Sequence, residues 1–587
     1  MAITKLVAGV KGAAGNSTGA DIASSVNSII DSLEKGFATV RFAELVEDPT
    51  SRDSVDAAVT ALNAMLKDDD VVDLSGTYVW PTVNFTTGTK NNIKYKNGTF
   101  KRLDNIGVEY LFWLNGEDSS VSYCNFDGGS TVIPTWGQQC IYIPESINAK
   151  VHANTFKNIG DGAVRFARKA PQIDEPTKNV IISNNIFKLC GQVTTNDTGA
   201  DRVILTGNIF DNSAIKITQA QSLTGYGQTV ISSNVFIQED PDGLLISFQG
   251  CENVLFEGNH IMAYDIRAIF NLYPNIDFKV GEVERIPLKR VSIRNNSIYA
   301  SNVRSILYIE GKEKEDLSAN LNNDSFIDVS NNNVWSTVPD GMPVRTRFLV
   351  SYVQDQANST PSSLCRNLIV KDNNVHGDVT RFVGLFEHGM NPKDKVLIQD
   401  NFCENATEGF VYASVNGLNG ASGDIVIKGN EAKTPAVILN SPLNLHKRIN
   451  SISLKDNNFH LTNEAVVSDA VKSLELDFEH IAKQYKISGN TFEVESDDIT
   501  GDLISVIPPD AAVDSVGTQL WMINNTLIKS NVNTSLAEMS SFDIKATVTD
   551  GTIEKLYCNN NKYGGAITAP VSNEASVNIA NINLTSF

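Results

Sequence analysis

A short phrase recurs through most of the 587-residue chain: alternating apolar residues, then an Asn, then a further apolar residue, as in residues 203–210, VILTGNIF. Its Asn falls at positions 23 to 41 residues apart, which are Asn125, Asn154, Asn185, Asn208, Asn234, Asn259, Asn296, Asn332, Asn373, Asn401, Asn430, Asn457, Asn490, Asn525 and Asn561. A fixed phrase with a period of about 20 to 50 residues is typical of a solenoid, in which each repeat forms one coil.

Each copy of the phrase predicts a short strand followed by a bend. Apolar residues at alternate positions, such as Val291 and Ile293, indicate a strand with one buried face. Asn tolerates the left-handed backbone region and hydrogen-bonds locally, so we expect the Asn itself to turn the chain. Stacked coils would then align these amides in a ladder along one corner.

Over about residues 70 to 565 the repeat resembles that of right-handed parallel β-helix proteins of the pectate-lyase-like class, and among them the chain is most similar to bacteriophage tailspikes. The resemblance implies an all-β fold, a right-handed parallel β-helix assembled as a homotrimer. A leucine-rich repeat has the same core spacing and is the alternative. Such repeats run about 20 to 29 residues and carry Leu, whereas here Val and Ile dominate and the return path holds a second β-like run.

The chain before the repeats predicts short helices. Residues 20–35 and 53–68 both carry apolar residues at helical spacing, and the second stretch leads into a strand at residues 71–80. In this family such a helix caps the first coil, which would otherwise expose apolar interior and free strand edges. We therefore divide the chain into a virion-docking segment at residues 1–40, a capping helix and entry strand at 41–90, the β-helix at 91–565 and a tail at 566–587.

Composition restricts the partners. The net charge of −20 argues against nucleic acid, whose binding normally calls for a basic face. No apolar run is long enough to span a bilayer, and the N-terminal residues lack the pattern of a signal peptide, so we expect neither membrane insertion nor secretion. The resemblance implies synthesis in a host cytoplasm, location in the virion and a phage tail or baseplate protein as the partner of residues 1–40.

Cysteine and histidine give no sign of a cofactor. The seven Cys residues and the seven His residues are scattered, without the close spacing of a zinc site. We interpret the cysteines as small buried hydrophobes of a protein made in a reducing compartment. The sequence therefore predicts no metal and no cofactor.

Four successive coils carry a second β-like run that opens on an arginine, at Arg267, Arg304, Arg347 and Arg381. Six residues after these arginines stand Tyr273, Glu310, Val353 and Glu387. Because strand side chains alternate between faces, we expect each arginine and the residue six positions later to share one outward face. The apolar position two residues after each arginine would also lie on that face, partly covered.

This face suggests carbohydrate chemistry. If the alignment holds, Glu310 and Glu387 lie on one line two coils apart, roughly 10 Å between strands. Leaning side chains would bring the carboxyls into the roughly 6.5–9.5 Å range of an inverting glycosidase, and Asp355 would offer a closer partner. Tyr273 and Tyr308 are placed to stack on sugar rings, and the arginines at positions 267, 304, 347 and 381 to hold carboxylates of an acidic polysaccharide.

The sequence thus predicts a tailspike that recognises and depolymerises a bacterial surface polysaccharide, a capsule or O-antigen, by glycoside hydrolysis with Glu310 or Asp355 and Glu387 as acid and base. Two alternatives stay open. A polysaccharide lyase on the same scaffold would need a base and a positive charge, which Arg304 or Arg347 would supply. A spike that binds its receptor without cleaving it would show an outward face rich in aromatic residues.

Overall fold

A computed structural model describes residues 39–103, 107–129, 139–144, 146–167, 178–195, 202–218, 228–240, 243–249, 253–273, 289–311, 326–353, 367–390, 394–417, 423–440, 449–462, 482–494, 505–506, 518–529, 539–540, 543–544, 553–564, 567–569, 572–573 and 579–586. The chain divides into two compact units, residues 1–213 and 214–587.

The first unit opens with a cap. A strand at Thr39–Arg41 and a 3₁₀ helix at Phe42–Glu44 precede an α-helix at Arg52–Met65. Ser51 caps this helix by accepting a hydrogen bond from the backbone N–H of Ser54, which satisfies one of the free donors of the first turn. The helix predicted at residues 53–68 is therefore confirmed, one residue earlier at its start and three at its end.

Coils of short parallel strands make up the rest of the first unit. The strands Val71–Val79 and Lys94–Lys101 continue through the bend. In the following coils the strands that precede the bend are Ser120–Ser122, Lys150–His152, Val180–Ser183 and Arg202–Thr206. Those after it are Asn125–Asp127, Thr155–Lys157, Ile186–Lys188 and Ile209–Asp211. A separate five-stranded parallel sheet consists of Phe85–Thr86, Phe112–Trp113, Ile141–Pro144, Gly162–Ala167 and Gln192–Thr195.

The second unit repeats this plan with longer strands. Before the bend lie Gln228–Ser232, Asn253–Glu257, Arg290–Arg294, Phe326–Ser330, Asn367–Lys371, Lys395–Gln399, Asp424–Lys428, Ile449–Lys455, Ala482–Ser488 and Thr518–Ile523. After it lie Val235–Glu239, His260–Tyr264, Ser297–Ser301, Asn333–Thr337, Asn374–Met390, Phe402–Gly417, Glu431–Thr434, Asn458–Leu461, Thr491–Val494 and Thr526–Lys529.

The second β-like run predicted from the sequence is the third strand in most of these coils. These third strands are Ile215–Thr218, Leu244–Gln249, Ala268–Tyr273, Ser305–Gly311, Arg347–Val353 and Ile438–Asn440. The long strands Asn374–Met390 and Phe402–Gly417 include the equivalent stretch. The C-terminal strands are Ser505–Val506, Met539–Ser540, Asp543–Ile544, Ile553–Gly564, Ile567–Ala569, Ser572–Asn573 and Ile579–Ser586. Strands of successive coils pair in parallel, and a coil such as residues 290–311 holds three strands where a leucine-rich repeat would have one strand and a helical return, so the solenoid is a parallel β-helix.

The predicted asparagine ladder is present in both units. It joins Asn154 to Asn208 in the first unit and Asn234 to Asn561 in the second, with every member 0 to 2% exposed. Asn332 is typical: its Nδ2 donates to Oδ1 of Asn373 at 2.9 Å and to the carbonyl of Ile293 at 2.9 Å. Its own Oδ1 accepts from both the backbone and side-chain nitrogens of Asn296. Each buried amide is thus satisfied by neighbouring coils.

The bend itself is made by a different residue from the one predicted. From Asn154 to Asn525, the residue before every ladder asparagine has a positive φ of 51 to 69°, and it is Gly, Asn or Asp in most coils. These residue types adopt the left-handed region at least cost. At Gly429, with φ +65°, a Cβ would also clash with Oδ1 of Asp400 in the preceding coil. The ladder asparagine holds the coils together, and the residue before it turns the chain.

The first rung also differs from the prediction. Asn125 is exposed and begins a strand, whereas Cys124 occupies the ladder position, with its backbone N–H donating to Oδ1 of Asn154 at 2.9 Å. One coil earlier, Gly98 donates its backbone N–H to the Cys124 sulfur at 3.4 Å. The sequence pattern was one residue out of register here because Asn125 follows the true position directly.

Apolar residues fill the interior in continuous columns. In the first unit the rings of Phe126, Phe156, Phe187 and Phe210 stack at centroid distances of 5.0, 4.9 and 5.1 Å, all 0 to 1% exposed. One ring per coil at the spacing between strands lets every aromatic side chain cover the next.

In the described part of the chain, no helix has both the length and the hydropathy needed to cross a membrane. The predicted helix at residues 20–35 lies outside the described residues, as does nearly all of the docking segment at 1–40. The proposed domain boundaries therefore stay predictions.

Candidate functional site

The four arginines that open the second β-like runs lie in two rows instead of one. Backbone pairing aligns Ser305 with Arg347 and Arg347 with Arg381. It also aligns Ala268 with Ser305, so that Arg267 and Arg304 precede the row of Arg347 and Arg381 by one residue. The single line of arginines predicted from the sequence is thus wrong by one position at its centre.

Strict alternation also fails at the start of each run. Ile306 and Leu307, like Phe382 and Val383, are consecutive and all buried. The apolar position predicted to lie on the outward face, such as Ile306 or Val383, therefore belongs to the core. Alternation of buried and less buried residues resumes after Leu307, since Tyr308 is half-buried between the buried Leu307 and Ile309.

Arg347 and Arg381 sit in a compact group that we call the arginine cluster: Arg347, Arg381, Phe386, Glu408 and Tyr412. The Arg381 Cζ atom lies 4.5 Å from the ring centroid of Tyr412 and 5.4 Å from that of Phe386, and Arg347 lies 5.8 Å from the same Phe386 ring. The two rings stack on each other at 4.6 Å. Guanidinium groups over aromatic faces are held by cation–π attraction, which strengthens as water is excluded.

Glu408 supplies the counter-charge. Its Oε2 lies 2.8 Å from Nε of Arg381, and the two side chains are 28% and 19% exposed. Neither of these two atoms nor Nε of Arg347 makes a well-directed hydrogen bond with the described residues. The ion pair is thus an electrostatic contact without aligned N–H geometry, and its buried polar atoms lack directed hydrogen bonds within the described part of the chain.

The charges in the arginine cluster are unbalanced. Burial and then the neighbouring Arg381 guanidinium lower the pKa of Arg347, whereas Glu408 and Tyr308 act in the opposite direction. An arginine stays protonated at neutral pH even so. Among the described side chains of the cluster, two positive charges face one carboxylate, which favours an additional anion.

A glycine shapes the cluster. The Phe386 ring folds back over Gly384, where a Cβ would lie 2.6 Å from Cε2 of Phe386. Gly384 pairs with Tyr412 in the next coil, so the missing side chain is what lets Phe386 reach the Tyr412 ring.

The structure also changes the predicted line of acids. Glu310 pairs with Tyr352, and Tyr352 pairs with Phe386, so Phe386 and not Glu387 occupies the row of Glu310. Phe386 and Glu387 together oppose a single residue of the next coil, since Leu385 pairs with Ala413 and His388 with Val415. This is a β-bulge, a feature that re-aims side chains and is frequent beside active sites.

The other predicted residues have different outcomes. Arg267 is exposed and its Cζ lies 5.9 Å from the ring centroid of Tyr308, so these two are brought together. Arg304 is exposed. Asp355 lies outside the described residues, and so do the side chains of Tyr273, Glu310 and Glu387. Their roles remain predictions.

Sequence reasoning missed Phe386, Glu408 and Tyr412. Phe386 lies five residues after Arg381, so strict alternation would place it in the core, whereas it is half-buried and stacks on Tyr412. Glu408 stands directly before Gly409, the residue that pairs with Arg381, so correct alignment of the next coil would have found it.

A second outward group, Tyr299, Trp335 and His376, is less suited to stacking a ligand. Tyr299 and Trp335 stack face to face at 4.7 Å and 10°, and Trp335 and His376 at 5.8 Å and 21°. Their faces cover one another along successive coils, so mainly ring edges are exposed. No group of His, Cys, Asp or Glu among the described residues is arranged to hold a metal ion.

Comparison with known proteins supports the fold. Residues 110–280 match the family described as a right handed beta helix region, which confirms the predicted right-handed parallel β-helix. No curated protein matches the chain.

Similar solved structures include a tailspike protein of E. coli bacteriophage HK620 in complex with a pentasaccharide, at 12% identity, TM-score 0.39 and coverage of 93% of this chain and 82% of that one. PfbA, a surface adhesin of Streptococcus pneumoniae, is similar at 14% identity and TM-score 0.38, with 74% and 96% covered. An exopolygalacturonase from Thermotoga maritima is similar at 11% identity and TM-score 0.34, with 72% and 91% covered.

Proposed function

We propose that this protein is a phage tailspike that binds an acidic surface polysaccharide of a bacterium through the arginine cluster and hydrolyses it with a nearby pair of carboxyl groups. The observation that carries the proposal is the pairing of two half-buried guanidinium groups with one carboxylate against two stacked rings. The fold supports it as a rigid scaffold on which such groups repeat along successive coils.

Binding follows from the charges and the rings. A sugar carboxylate placed beside Arg347 would complete the neutralisation that Glu408 leaves unfinished, with a charge-assisted hydrogen bond from guanidinium nitrogen to carboxylate oxygen. Arg267 and Tyr308, which lie together in earlier coils of the same unit, would contact further residues of the polymer. Arg304 and Tyr273 complete the proposed set of binding residues.

For hydrolysis, one carboxylic acid protonates the leaving glycosidic oxygen while a second carboxylate activates water. We assign these roles to Glu310 and Glu387, with Asp355 as the alternative partner of Glu387. The β-bulge at Phe386 and Glu387 supports this assignment. In a regular strand these two consecutive side chains would point to opposite faces, whereas a bulge can turn both towards the outward face.

The test separates binding from cleavage. Glu310→Gln, Glu387→Gln and Asp355→Asn are compared with Glu431→Gln, an exposed site on another strand, using a polysaccharide that the wild type binds. We expect the first two variants to keep affinity and lose depolymerisation, and the control to keep both. Undiminished cleavage by the Glu310→Gln, Glu387→Gln double variant would overturn the assignment.

A spike that binds without cleaving is the second candidate. The row shared by Glu310, Tyr352 and Phe386 favours it, since aromatic residues and not a second acid neighbour Glu310 in register. Retention of affinity without any product on the bound polysaccharide would establish this function.

A lyase would instead give unsaturated products, with Arg304 or Arg347 stabilising the charge beside the uronate carboxylate.

The proposed function also implies an oligomeric state and a location for the protein. A tailspike would be a homotrimer in the virion, attached to a tail or baseplate protein through residues 1–40. Light scattering of the full chain tests the trimer, and loss of attachment to phage particles on deletion of residues 1–40 tests the docking segment.

A further inference from the structure

The five-stranded sheet of the first unit has an outward row of its own. Register aligns Thr86, Trp113, Tyr142 and Arg165. The alternate row, which contains Phe112, Ile141 and Val164, is fully buried. The Trp113 row therefore faces away from the core, and its residues from Trp113 to Arg165 are half-buried.

Three rings form an aromatic corner, defined by Tyr110, Trp113 and Tyr142. Trp113 and Tyr142 meet at 5.1 Å and 83°, while Tyr110 stacks on Tyr142 at 4.6 Å and lies edge-on to Trp113 at 6.3 Å and 67°. Trp113 and Tyr142 are perpendicular and half-buried, so they present apolar surfaces in two directions, whereas Tyr299 and Trp335 lie parallel.

Fixed polar groups border the corner. Arg165 Nη1 donates to the Tyr110 hydroxyl at 2.8 Å. Burial raises the pKa of Tyr110, as does Glu109, which is hydrogen-bonded to that hydroxyl, while Arg165 acts in the opposite direction. Glu109 is held in turn by Gln139, whose Nε2 lies 3.4 Å from Glu109 Oε1. A donor and an acceptor are thus held beside the rings before any ligand arrives.

A second contact anchors this network below the surface. Gln139 Nε2 donates to Oδ2 of the buried Asp161 at 2.8 Å, so the amide that orients Glu109 is itself fixed from inside the coil. In this network Arg165 is positive, and Glu109 and the buried Asp161 are negative, so, unlike the arginine cluster, it has no positive charge left over for an anion. The corner therefore favours a ligand that is neutral overall.

We propose that the aromatic corner is a second saccharide-binding site, one that takes a neutral hexopyranose. The apolar C–H face of the sugar would lie against Trp113 and Tyr142, and its hydroxyls would bond to Arg165 and Glu109. Sites for small polar ligands generally combine such aromatic walls with a few convergent polar groups. The site goes beyond the proposed function, because it binds without cleaving and is built entirely from the first unit.

The test uses the full chain and the neutral probes maltohexaose, cellohexaose and mannohexaose, with affinity measured by calorimetry. We expect at least one probe to bind, and Trp113→Ala and Tyr142→Ala each to weaken it about tenfold or more. Trp113→Phe, which keeps an apolar ring, should bind more tightly than Trp113→Ala. Tyr123→Ala is the matched control, since Tyr123 is a 58% exposed aromatic of the same unit whose ring contacts His152.

Two results would overturn the proposal: no binding of any probe by the wild type, or equal affinity of Trp113→Ala and the Tyr123→Ala control. A change in molar mass on Trp113→Ala, with probe affinity unchanged, would instead identify the corner as a subunit contact and also overturn it. The proposed function is judged separately by Arg347→Met. That variant should lose binding of acidic polysaccharide and keep the hexaose affinity of the wild type.

Discussion

The guanidinium of Arg381 lies over the ring of Tyr412 at 4.5 Å, on the next coil of the helix. This cation–π contact joins the outward faces of two adjacent coils, in addition to the backbone pairing of their strands. It also fixes Arg381 where Glu408 reaches it, so the coil spacing of about 4.8 Å sets the geometry of the binding residues.

Replacing Arg347 should weaken binding of an acidic polysaccharide. Hydrogen bonds between charged groups contribute about 1.5–3 kcal/mol, so Arg347→Met should raise the Kd about 10- to 100-fold. The affinity of the wild type should also fall with added salt more steeply than that of the variant. Calorimetry at two salt concentrations measures both effects, and an unchanged Kd would remove Arg347 from the binding site.

Neutralising Glu408 should destabilise the second unit. Glu408→Gln leaves the half-buried Arg347 and Arg381 without their carboxylate. Because this ion pair is less exposed than a surface pair and less buried than a core pair, its loss should lower the free energy of unfolding by about 1–3 kcal/mol. The thermal midpoint is compared with that of Glu431→Gln, an exposed carboxylate. Equal midpoints for the two variants would mean that the ion pair contributes nothing to stability.

Gly384 should matter through Phe386 alone. Gly384→Ala would place a methyl group 2.6 Å from the Phe386 ring and displace it from Tyr412. We expect lower stability and weaker polysaccharide binding. In the Gly384→Ala, Phe386→Ala double variant the added methyl group no longer meets the ring, so the stability costs should be less than additive. Additive costs would show that Gly384 is constrained by its backbone.

Removing the ladder asparagine Asn332 should cost more than removing its half-buried neighbour Asn333. Asn332→Ala leaves the backbone N–H of Asn296 without its acceptor in the core, at about 1–3 kcal/mol for a buried group left unsatisfied. It also removes one of two hydrogen bonds from the side-chain amide of Asn296 and one of two to Oδ1 of Asn373. Asn333→Ala removes only an exposed bond from Asn374. Thermal unfolding followed by circular dichroism should show a clear drop for the first variant and little change for the second; similar drops would contradict the ladder's role.

The buried thiols predict how stability depends on pH. Burial raises the pKa of Cys124 and of Cys190 to about 12, from an ordinary value of 9.0. Above pH 9 the unfolded chain loses these protons and the folded one keeps them, so stability falls as pH rises from about 9 towards 12. Below pH 9 both states are protonated and these thiols leave stability unchanged.

The same thiols should resist alkylation in the native protein, because the thiolate is the reactive form. Iodoacetamide at pH 8 followed by peptide mass spectrometry should leave Cys124, Cys140, Cys190 and Cys403 unmodified. Rapid labelling of Cys190 in the folded chain would contradict its burial. A urea-unfolded sample provides the control in which all four react.

Much of the fold could be predicted from the sequence. Regular alternation around Val291 and Ile293 and the recurrence of Asn were enough to predict parallel coils and a ladder, because both depend on local periodicity. The register of the arginine-led run could not be predicted, since Arg304 lies one residue before the row in which Ser305, Arg347 and Arg381 pair, and the residue pattern gives no sign of that offset.

The candidate site was predictable only in part for the same reason. Arg347 and Arg381 were found because they open their runs. Glu408 and Tyr412 belong to the next coil, and only the pairing of Arg381 with Gly409 places them beside the arginines. The residue pattern gives no sign of the β-bulge at Phe386 and Glu387. The sequence therefore predicted that Glu310 and Glu387 share one row, whereas backbone pairing places Phe386 in the row of Glu310.

The central claim, cleavage of a bacterial polysaccharide by hydrolysis, is tested most directly by mass spectrometry. The full chain is incubated with purified acidic and neutral capsular and O-antigen polysaccharides, and released oligosaccharides are weighed. The account predicts products from an acidic polysaccharide that carry one added water for each bond cut, and none from the Glu310→Gln, Glu387→Gln double variant. Unsaturated products without added water, or a polysaccharide that binds tightly and is never cut, would contradict it.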